Sequence, residues 1–311
     1  MTIEVNQLTR RFGTVTAVDN LSFTVRPGHV TGFLGPNGAG KTTTMRLILG
    51  LDTPTSGTAL VDGRPFSSMV WPLHKVGALL DASAVYPART AWDHVLSIAQ
   101  SNGIGKKRVT EVLEITGISR IAHRRIGGFS LGMKQRLGIA VALIGDPSIL
   151  MFDEPVNGLD AEGIRWIRQF FKGLADQGRT VLVSSHLMSE MAQTADRLII
   201  IGRGKLLADT TTAELLEANA HNDVLIRSPR SDELSKLLTG RGATVTQQPD
   251  GAMAVAGIDA SAIGDLAAEH GIPLHALVAR EASLEDVYLE LTGESVEFRA
   301  AMPPAEDVSA Q

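Results

Sequence analysis

The sequence predicts an α/β protein with a mainly parallel sheet, followed by a smaller α+β domain. Three observations predict it. Short Val-, Ile- and Leu-rich runs alternate with helical periodicity up to about residue 210. A glycine-rich turn sits between one such run and a helix. After residue 210 the pattern resets to a new order of strands and helices.

Taken in order, IEVNQLTRRFG reads as a strand closed by a turn at Gly13, and VTAVDNLSFTV (15–25) as a second strand closed by the Pro-Gly turn of RPGH. VTGFL (30–34) is a short buried strand that runs into GPNGAGKTT, and an apolar-periodic helix over 43–50 stops at Gly50. Strands are expected at 56–65 and 76–80. Residues 88–126 turn helical and polar, as an insert between strands. Helix 131–144, strand 149–152, helix 161–176, strand 180–185, a short helix near 188–193 and strands 197–201 and 205–209 complete the first domain. Beyond it come a linking helix, strand 223–228, helix 231–239, strands 243–247 and 252–256, helix 260–270, strand 274–279 and a last helix, 283–292. That β-α-β-β-α-β order is the split-βαβ, ferredoxin-like arrangement. The expected boundaries are 1–210 with a helical subdomain at about 88–128, a linker at 211–221, an accessory domain at 222–293, and a disordered tail at 294–311.

Composition bounds the function. With 311 residues and 44% hydrophobic content, the chain can form one large domain and one small one. It has no cysteine, which excludes disulfides and thiolate metal sites. The first residues form no apolar run, so no signal peptide is expected, and LGIAVALIG (137–145) is about half a membrane span. A chain soluble on its own, able to sit against a membrane protein, is expected. The net charge of −5 is uneven: residues 1–210 hold 23 Lys+Arg against 17 Asp+Glu, and residues 211–311 hold 6 against 17. The first part tolerates a polyanion such as a nucleotide. The acidic second part opposes nucleic acid.

Two motifs carry chemistry. GPNGAGKT (35–42) matches G-x-x-x-x-G-K-[ST] and has the required strand before and helix after. Gly35, Gly38 and Gly40, with Pro36, Asn37 and Ala39 between them, let the backbone curl so that its N–H groups and the helix start at Thr43 face a phosphate. Lys41 can span two phosphates as a point charge, and the Thr42 hydroxyl can ligand Mg²⁺. The expected ligand is a nucleoside triphosphate with Mg²⁺. In ILMFDEP (149–155) a buried strand ends in two carboxylates, where parallel sheets bind ligands. Asp153 can hold Mg²⁺ through water, and Glu154 can orient or deprotonate the attacking water. His186, after the strand at 180–185, lines the same end. By composition alone it is more simply a structural histidine.

In this order the phosphate loop GPNGAGKTT, SLGMKQR (130–136), ILMFDEP, VNGLD (156–160) and the SSH histidine resemble an ATP-binding cassette (ABC) ATPase over residues 1–210. YPART (86–90), GFSLGMKQRLGIA (128–140) and ASLEDVYLELTG (282–293) are similar to the bacitracin- and daunorubicin-type export subgroup, which energises separate permeases. The resemblance implies a P-loop NTPase of ABC type that hydrolyses ATP with Mg²⁺. It also implies a head-to-tail dimer with a second copy, in which Ser130 and Gly132 reach the partner's ATP. The implied place of work is the cytoplasmic face of the cell membrane, against an integral permease, exporting a small antibiotic- or lipid-like compound.

Single positions follow by the same resemblance. Phe12 matches the aromatic that stacks on adenine, and His186 the γ-phosphate partner. Asn157, Gly158 and Asp160 match the loop across the dimer seam, where Asp160 also suits a helix cap. Val85, Tyr86 and Pro87 match the permease contact, with loop stiffening as the plainer role. Two departures stand out. Asp81 occupies the position of a Gln or Glu that reaches Mg²⁺ through water. Leu131 and Met133 replace a glycine and a glutamine of the signature. The alternative is a cassette ATPase free of any transporter, acting in nucleic-acid repair, chromosome structure or translation. A single set of motifs, the absence of a heptad arm and an acidic accessory domain disfavour it. A non-enzymatic nucleotide-gated module is disfavoured by intact Lys41, Asp153, Glu154 and His186.

Overall fold

The computed structural model describes residues 1–218, 223–248, 250–279 and 284–292. The tail expected from 294 and the end of the linking helix lie outside these residues. The described chain divides into two compact units, Met1–Thr212 together with residues 290–292, and Ala213–Leu289.

In the first unit the strands are β1 (Ile3–Phe12), β2 (Val15–Val25), β3 (Val30–Leu34), β4 (Ser56–Val61), β5 (Val76–Leu79), β6 (Ile149–Asp153), β7 (Thr180–Ser185), β8 (Arg197–Gly202) and β9 (Lys205–Thr211). The helices are α1 (Lys41–Ile48), α2 (Ala91–Ser101), α3 (Lys106–Ile115), α4 (Leu131–Leu143), α5 (Ala161–Asp176), α6 (Met188–Thr194) and α7 (Thr212–Ala218), the last crossing into the second unit.

Two sheets form rather than one. Six strands pair in the order β5-β6-β7-β3-β8-β9, parallel except for β9, which runs antiparallel to β8. The first strands leave this sheet and pair as β2-β1-β4, all antiparallel. Local geometry explains the separation. Only Gly13 and Thr14 join β1 to β2, and a link that short permits only antiparallel neighbours. Burial follows the same division. Every residue of β3, β6 and β7 is buried, whereas β1 mixes buried and exposed positions. The core lies between the sheets: Val5, Leu21 and Phe23 of the antiparallel sheet meet Met45 and Ile48 of α1 and Phe33, Met151, Leu182 and Ile199 of the parallel one.

Caps set the helix starts. Thr90, Ser130 and Asp160 each accept a hydrogen bond from the backbone N–H three residues on, a contact worth about 1 kcal/mol. Helix α1 begins at Lys41, two residues before its apolar period, because Gly40 at φ +100° turns the chain straight out of the loop. Strand β4 stops at Val61, where Asp62 and Gly63 both take positive φ and make a tight turn. Helix α5 buries Ile167, Phe171 and Leu174, and the Phe171 ring lies 4.8 Å from that of Phe152, which supports β6 just before Asp153.

The second unit contains β10 (Asp223–Arg227), α8 (Ser231–Gly240), β11 (Thr244–Gln247), β12 (Met253–Ala256), α9 (Ala260–Glu269), β13 (Ala276–Ala279) and the first six residues of α10 (Leu284–Thr292). Its sheet has the order β11-β12-β10-β13 with all pairs antiparallel, the split-βαβ topology. Val224, Ile226, Leu234, Leu238, Val255, Ile263 and Leu266 form its core.

Candidate active site

The site is assembled at the C-terminal ends of the parallel strands. Strand β3 delivers the chain into the loop 35–40. A side chain cannot be placed at either end of it. A Cβ on Gly35 would lie 2.6 Å from the Ile201 carbonyl oxygen, and one on Gly40 would lie 2.4 Å from that of Ala17. The loop residues Pro36 to Thr43 line a cleft with Ala17, Asp153 and Glu154. Lys41 stands in it, 7% exposed. Its Nζ donates to the carbonyls of Gly35 at 2.6 Å and Pro36 at 3.3 Å, and lies 3.6 Å from Glu154 Oε1. Burial pushes the Lys41 ammonium below its ordinary pKa, against the opposing pull of Glu154 and Asp153.

The two carboxylates are held differently. Asp153 is buried, and its oxygens are divided: Thr42 Oγ1 donates to Oδ2 at 2.6 Å and the Ser184 hydroxyl donates to Oδ1. Glu154 has a left-handed backbone, φ +48°, which costs a residue with a side chain about 1–3 kcal/mol. Both of its peptide groups are tied: its N–H donates to Ser184 Oγ at 3.0 Å, and its carbonyl accepts from Gln135 Nε2 at 3.3 Å. His186 Nδ1 hydrogen-bonds Glu154 Oε2 at 2.8 Å. The Thr42 hydroxyl and the Asp153 carboxylate are hard oxygen donors in direct contact. That set suits Mg²⁺, which takes one or two protein oxygens and completes its shell with phosphate and water. No group of three or more His, Asp or Glu that could hold a metal ion occurs among the described residues.

The structure thus brings Lys41, Thr42, Asp153, Glu154 and His186 together from the loop and from the ends of β6 and β7. Other expected residues stand apart from this cleft. Ser130 is exposed and caps α4, accepting from Met133 N–H at 3.2 Å. Gly132 packs so closely that a Cβ there would lie 2.7 Å from the Gly158 carbonyl oxygen. Leu131, in the family's glycine position, lays its side chain over Gly158. Phe12 is half exposed, with the Arg10 guanidinium 4.5 Å above its ring. Asp81 is exposed and engaged by its own loop: the Ser83 hydroxyl and backbone N–H donate to Oδ1 at 2.6 and 2.7 Å, and these bonds hold its carboxyl below the usual range. Asp160 caps α5 through Gly163 N–H at 2.8 Å. Tyr86 is exposed. Three participants escaped the sequence reading: Ala17, Ser184 and Gln135. Ser184 stands in SSH and Gln135 in SLGMKQR, inside motifs already singled out, but their contacts lie 31 and 19 residues away along the chain.

Comparison with known proteins settles the family. Residues 18–157 match the ABC transporter family. The ABC transporter ATP-binding protein YhcH of Bacillus subtilis is 35% identical over 306 residues, which cover 95% of this chain and 97% of that protein. The chain belongs to the ABC transporter ATP-binding proteins. As a member of this ABC family it is the ATP-hydrolysing subunit of a transporter, and the transporter-free alternative falls away. The bacitracin transport ATP-binding protein BcrA of Bacillus licheniformis is 42% identical over 220 residues, covering 70% of this chain and 72% of BcrA. In fold, a solved bacterial ABC transporter cassette described as dimeric superposes with a TM-score of 0.61 at 24% identity, covering 68% of this chain and 98% of that one. Residues 222–285 of this ABC protein match a domain of unknown function, DUF8746. None of its described helices is long and apolar enough to cross a membrane.

Proposed function

We propose that this subunit hydrolyses MgATP between two copies of itself and drives export of a small hydrophobic compound of the antibiotic class through a separate permease. One observation carries the chemical part: Lys41, Thr42, Asp153 and Glu154 line one cleft from separate segments, and His186 hydrogen-bonds Glu154. The loop amides from Gly35 to Thr42 face the β- and γ-phosphates, and Lys41 turns its ammonium from the loop carbonyls to them. Thr42 and Asp153 would hold Mg²⁺, and Asp81 would join them once Ser83 releases it. When bound, the metal draws charge off the phosphates. Glu154 orients the attacking water and accepts its proton. The bond from His186 Nδ1 to Glu154 fixes the imidazole plane and leaves Nε2 for the γ-phosphate or the water. Phe12 stacks on adenine.

The second half of the site comes from a partner. Ser130 and Gly132 stand at the start of α4, outside the cleft of their own chain. A helix start carries about half a positive elementary charge, and Ser130 is exposed to meet an anion. A head-to-tail pair places each α4 start against the other copy's γ-phosphate, giving two equal sites. The superposable cassette, described as dimeric, supports this arrangement. Val85, Tyr86 and Pro87 form the permease contact, which places the subunit peripherally at the cytoplasmic face of the membrane. The cargo class rests on the likeness to the bacitracin transport protein BcrA, and the export direction on the motifs similar to the export subgroup. The division into an ATPase domain (1–210), a linker (211–221) and an accessory domain (222–293) completes the proposal.

The test is Glu154→Gln. Turnover should fall about 100-fold or more, while ATP stays bound and the copies stay paired in size-exclusion chromatography. Unchanged turnover would remove Glu154 from its role, and a monomer with ATP bound would remove the shared site.

A further inference from the structure

Glu154 is the described residue of the site whose backbone lies in the left-handed region without being glycine. Something must hold it there. Its N–H donates to Ser184 Oγ, and the Ser184 hydroxyl in turn donates to Asp153, so one hydroxyl joins the two carboxylate residues. Ser184 is fully buried in β7 and pairs in register with Asp153. On its other side, the Glu154 carbonyl accepts from Gln135 Nε2. Gln135 is buried, 5% exposed, and its Oε1 has no hydrogen-bond partner. The Glu154 carbonyl also accepts from the Asn157 N–H at 3.3 Å, so Gln135 adds a second donor to it, and turning the amide would set Oε1 against that carbonyl oxygen. A purely structural side chain at this depth would be better apolar. Gln135 therefore costs stability and delivers one contact, to the backbone of Glu154.

Gln135 also lies on α4, the helix that Ser130 opens. Five residues separate them, about 7.5 Å along the helix axis. The same end of α4 is locked to the chain after Glu154 a second time. Gly132 packs on the Gly158 carbonyl and Leu131 covers Gly158. So the segment 154–158 is fastened to the first turns of α4 at two points.

We propose that Gln135 is a positioning residue for ATP hydrolysis: it fixes the left-handed backbone at Glu154 from α4, opposite Ser184, and so aims the carboxylate at Lys41 and His186. This rests on the role proposed for Glu154. Because Ser130 of the same helix faces the partner's nucleotide in that reading, Gln135 ties the catalytic carboxylate of one site to the helix that serves the other.

The test compares Gln135→Leu, which keeps approximate volume and removes the donor, with wild type in steady-state ATPase assays, and repeats the change in a Glu154→Gln background by single turnover. Gln135→Leu should lower kcat about 10-fold with KM for ATP within about twofold, and should have no further effect once Glu154 is already Gln. Gln135→Glu, which keeps the shape but turns an acceptor toward the carbonyl, should lower kcat at least as much, and it carries the test if the Leu variant is poorly folded by thermal melting. Ser184→Ala, which frees Asp153 as well as Glu154, should lower kcat at least as much as Gln135→Leu, and Ser184→Thr should restore most of the rate. Wild-type kcat in both Gln135 variants, with Glu154→Gln inactive, overturns the inference alone. An equal loss in the two backgrounds also overturns it, since the residue would then act elsewhere than through Glu154. Full turnover in Glu154→Gln itself overturns the role of Glu154 on which the inference stands.

Discussion

The two units of this chain bury different things. In the first, Lys41, Gln135, Asp153, Ser184 and Ser185 are buried polar residues clustered at the ends of β6 and β7 and the start of α1. In the second, no polar residue is fully buried among the described residues, and the core is aliphatic. Its acidic charge lies on the surface: Arg227 with Asp250, Arg230 with Glu233 and Arg241 with Glu269 form exposed pairs, each worth little. The difference teaches where to look for chemistry. Buried polar groups are expensive unless they are partnered or used, so their concentration marks the reacting end of the molecule. The second unit has the economy of a packing module.

The strongest attempt to break this contrast is Lys41→Ala. It should reduce ATPase activity about 100-fold or more, because the cleft loses its buried cation, the one proposed to face the phosphates. A phosphate-release assay at saturating ATP checks it, and a variant within a few-fold of wild type would mean that the buried polar cluster is structural. Next in size, Leu238→Ala in α8 should destabilise the second unit by about 2–5 kcal/mol through the cavity it leaves. Calorimetry should show a lowered transition for that unit, with the ATPase rate of the folded protein within about twofold of wild type. A proportional loss of ATPase would show that the units do not divide chemistry and packing as their cores suggest.

The smallest effect sharpens the picture at the rim of the site. Ser83→Ala should raise the Asp81 pKa toward its ordinary 3.8, because the Ser83 hydroxyl is the main cause of its depression. The sign follows from linkage. A carboxyl depressed in the folded state stabilises it above pH 3.8, and that contribution fades as pH falls through the depressed value. Since Asp81 is exposed, the change should show in an NMR titration rather than in melting temperature.

Much of the first unit was legible in the residues. Helix α5 and strand β7 fall where periodicity put them, with caps and turns marking their ends. The phosphate loop was legible because its demands are local: positive φ at Gly38 and Gly40 and a helix start at Lys41 are properties of consecutive residues. The antiparallel β2-β1-β4 sheet was not, because strand periodicity gives a face and not a partner. Asp81 shows the same limit at the site. Its motif position suggested a reach toward the metal, yet the nearest donors are those of Ser83, two residues on, and they hold it.

The sequence by itself determined the order and kind of the elements, the loop that curls for phosphate, and which residues could act as acid, base or ligand. These depend on backbone preference, side-chain chemistry and short-range period. Only the tertiary structure decided that the strands divide into two sheets, that Ser184 grips Asp153 and Glu154 together, and that Gln135 ties Glu154 to the helix opened by Ser130. Such contacts join positions tens of residues apart. They exist because packing brings strand ends and a helix to one point, a relation that no local pattern encodes.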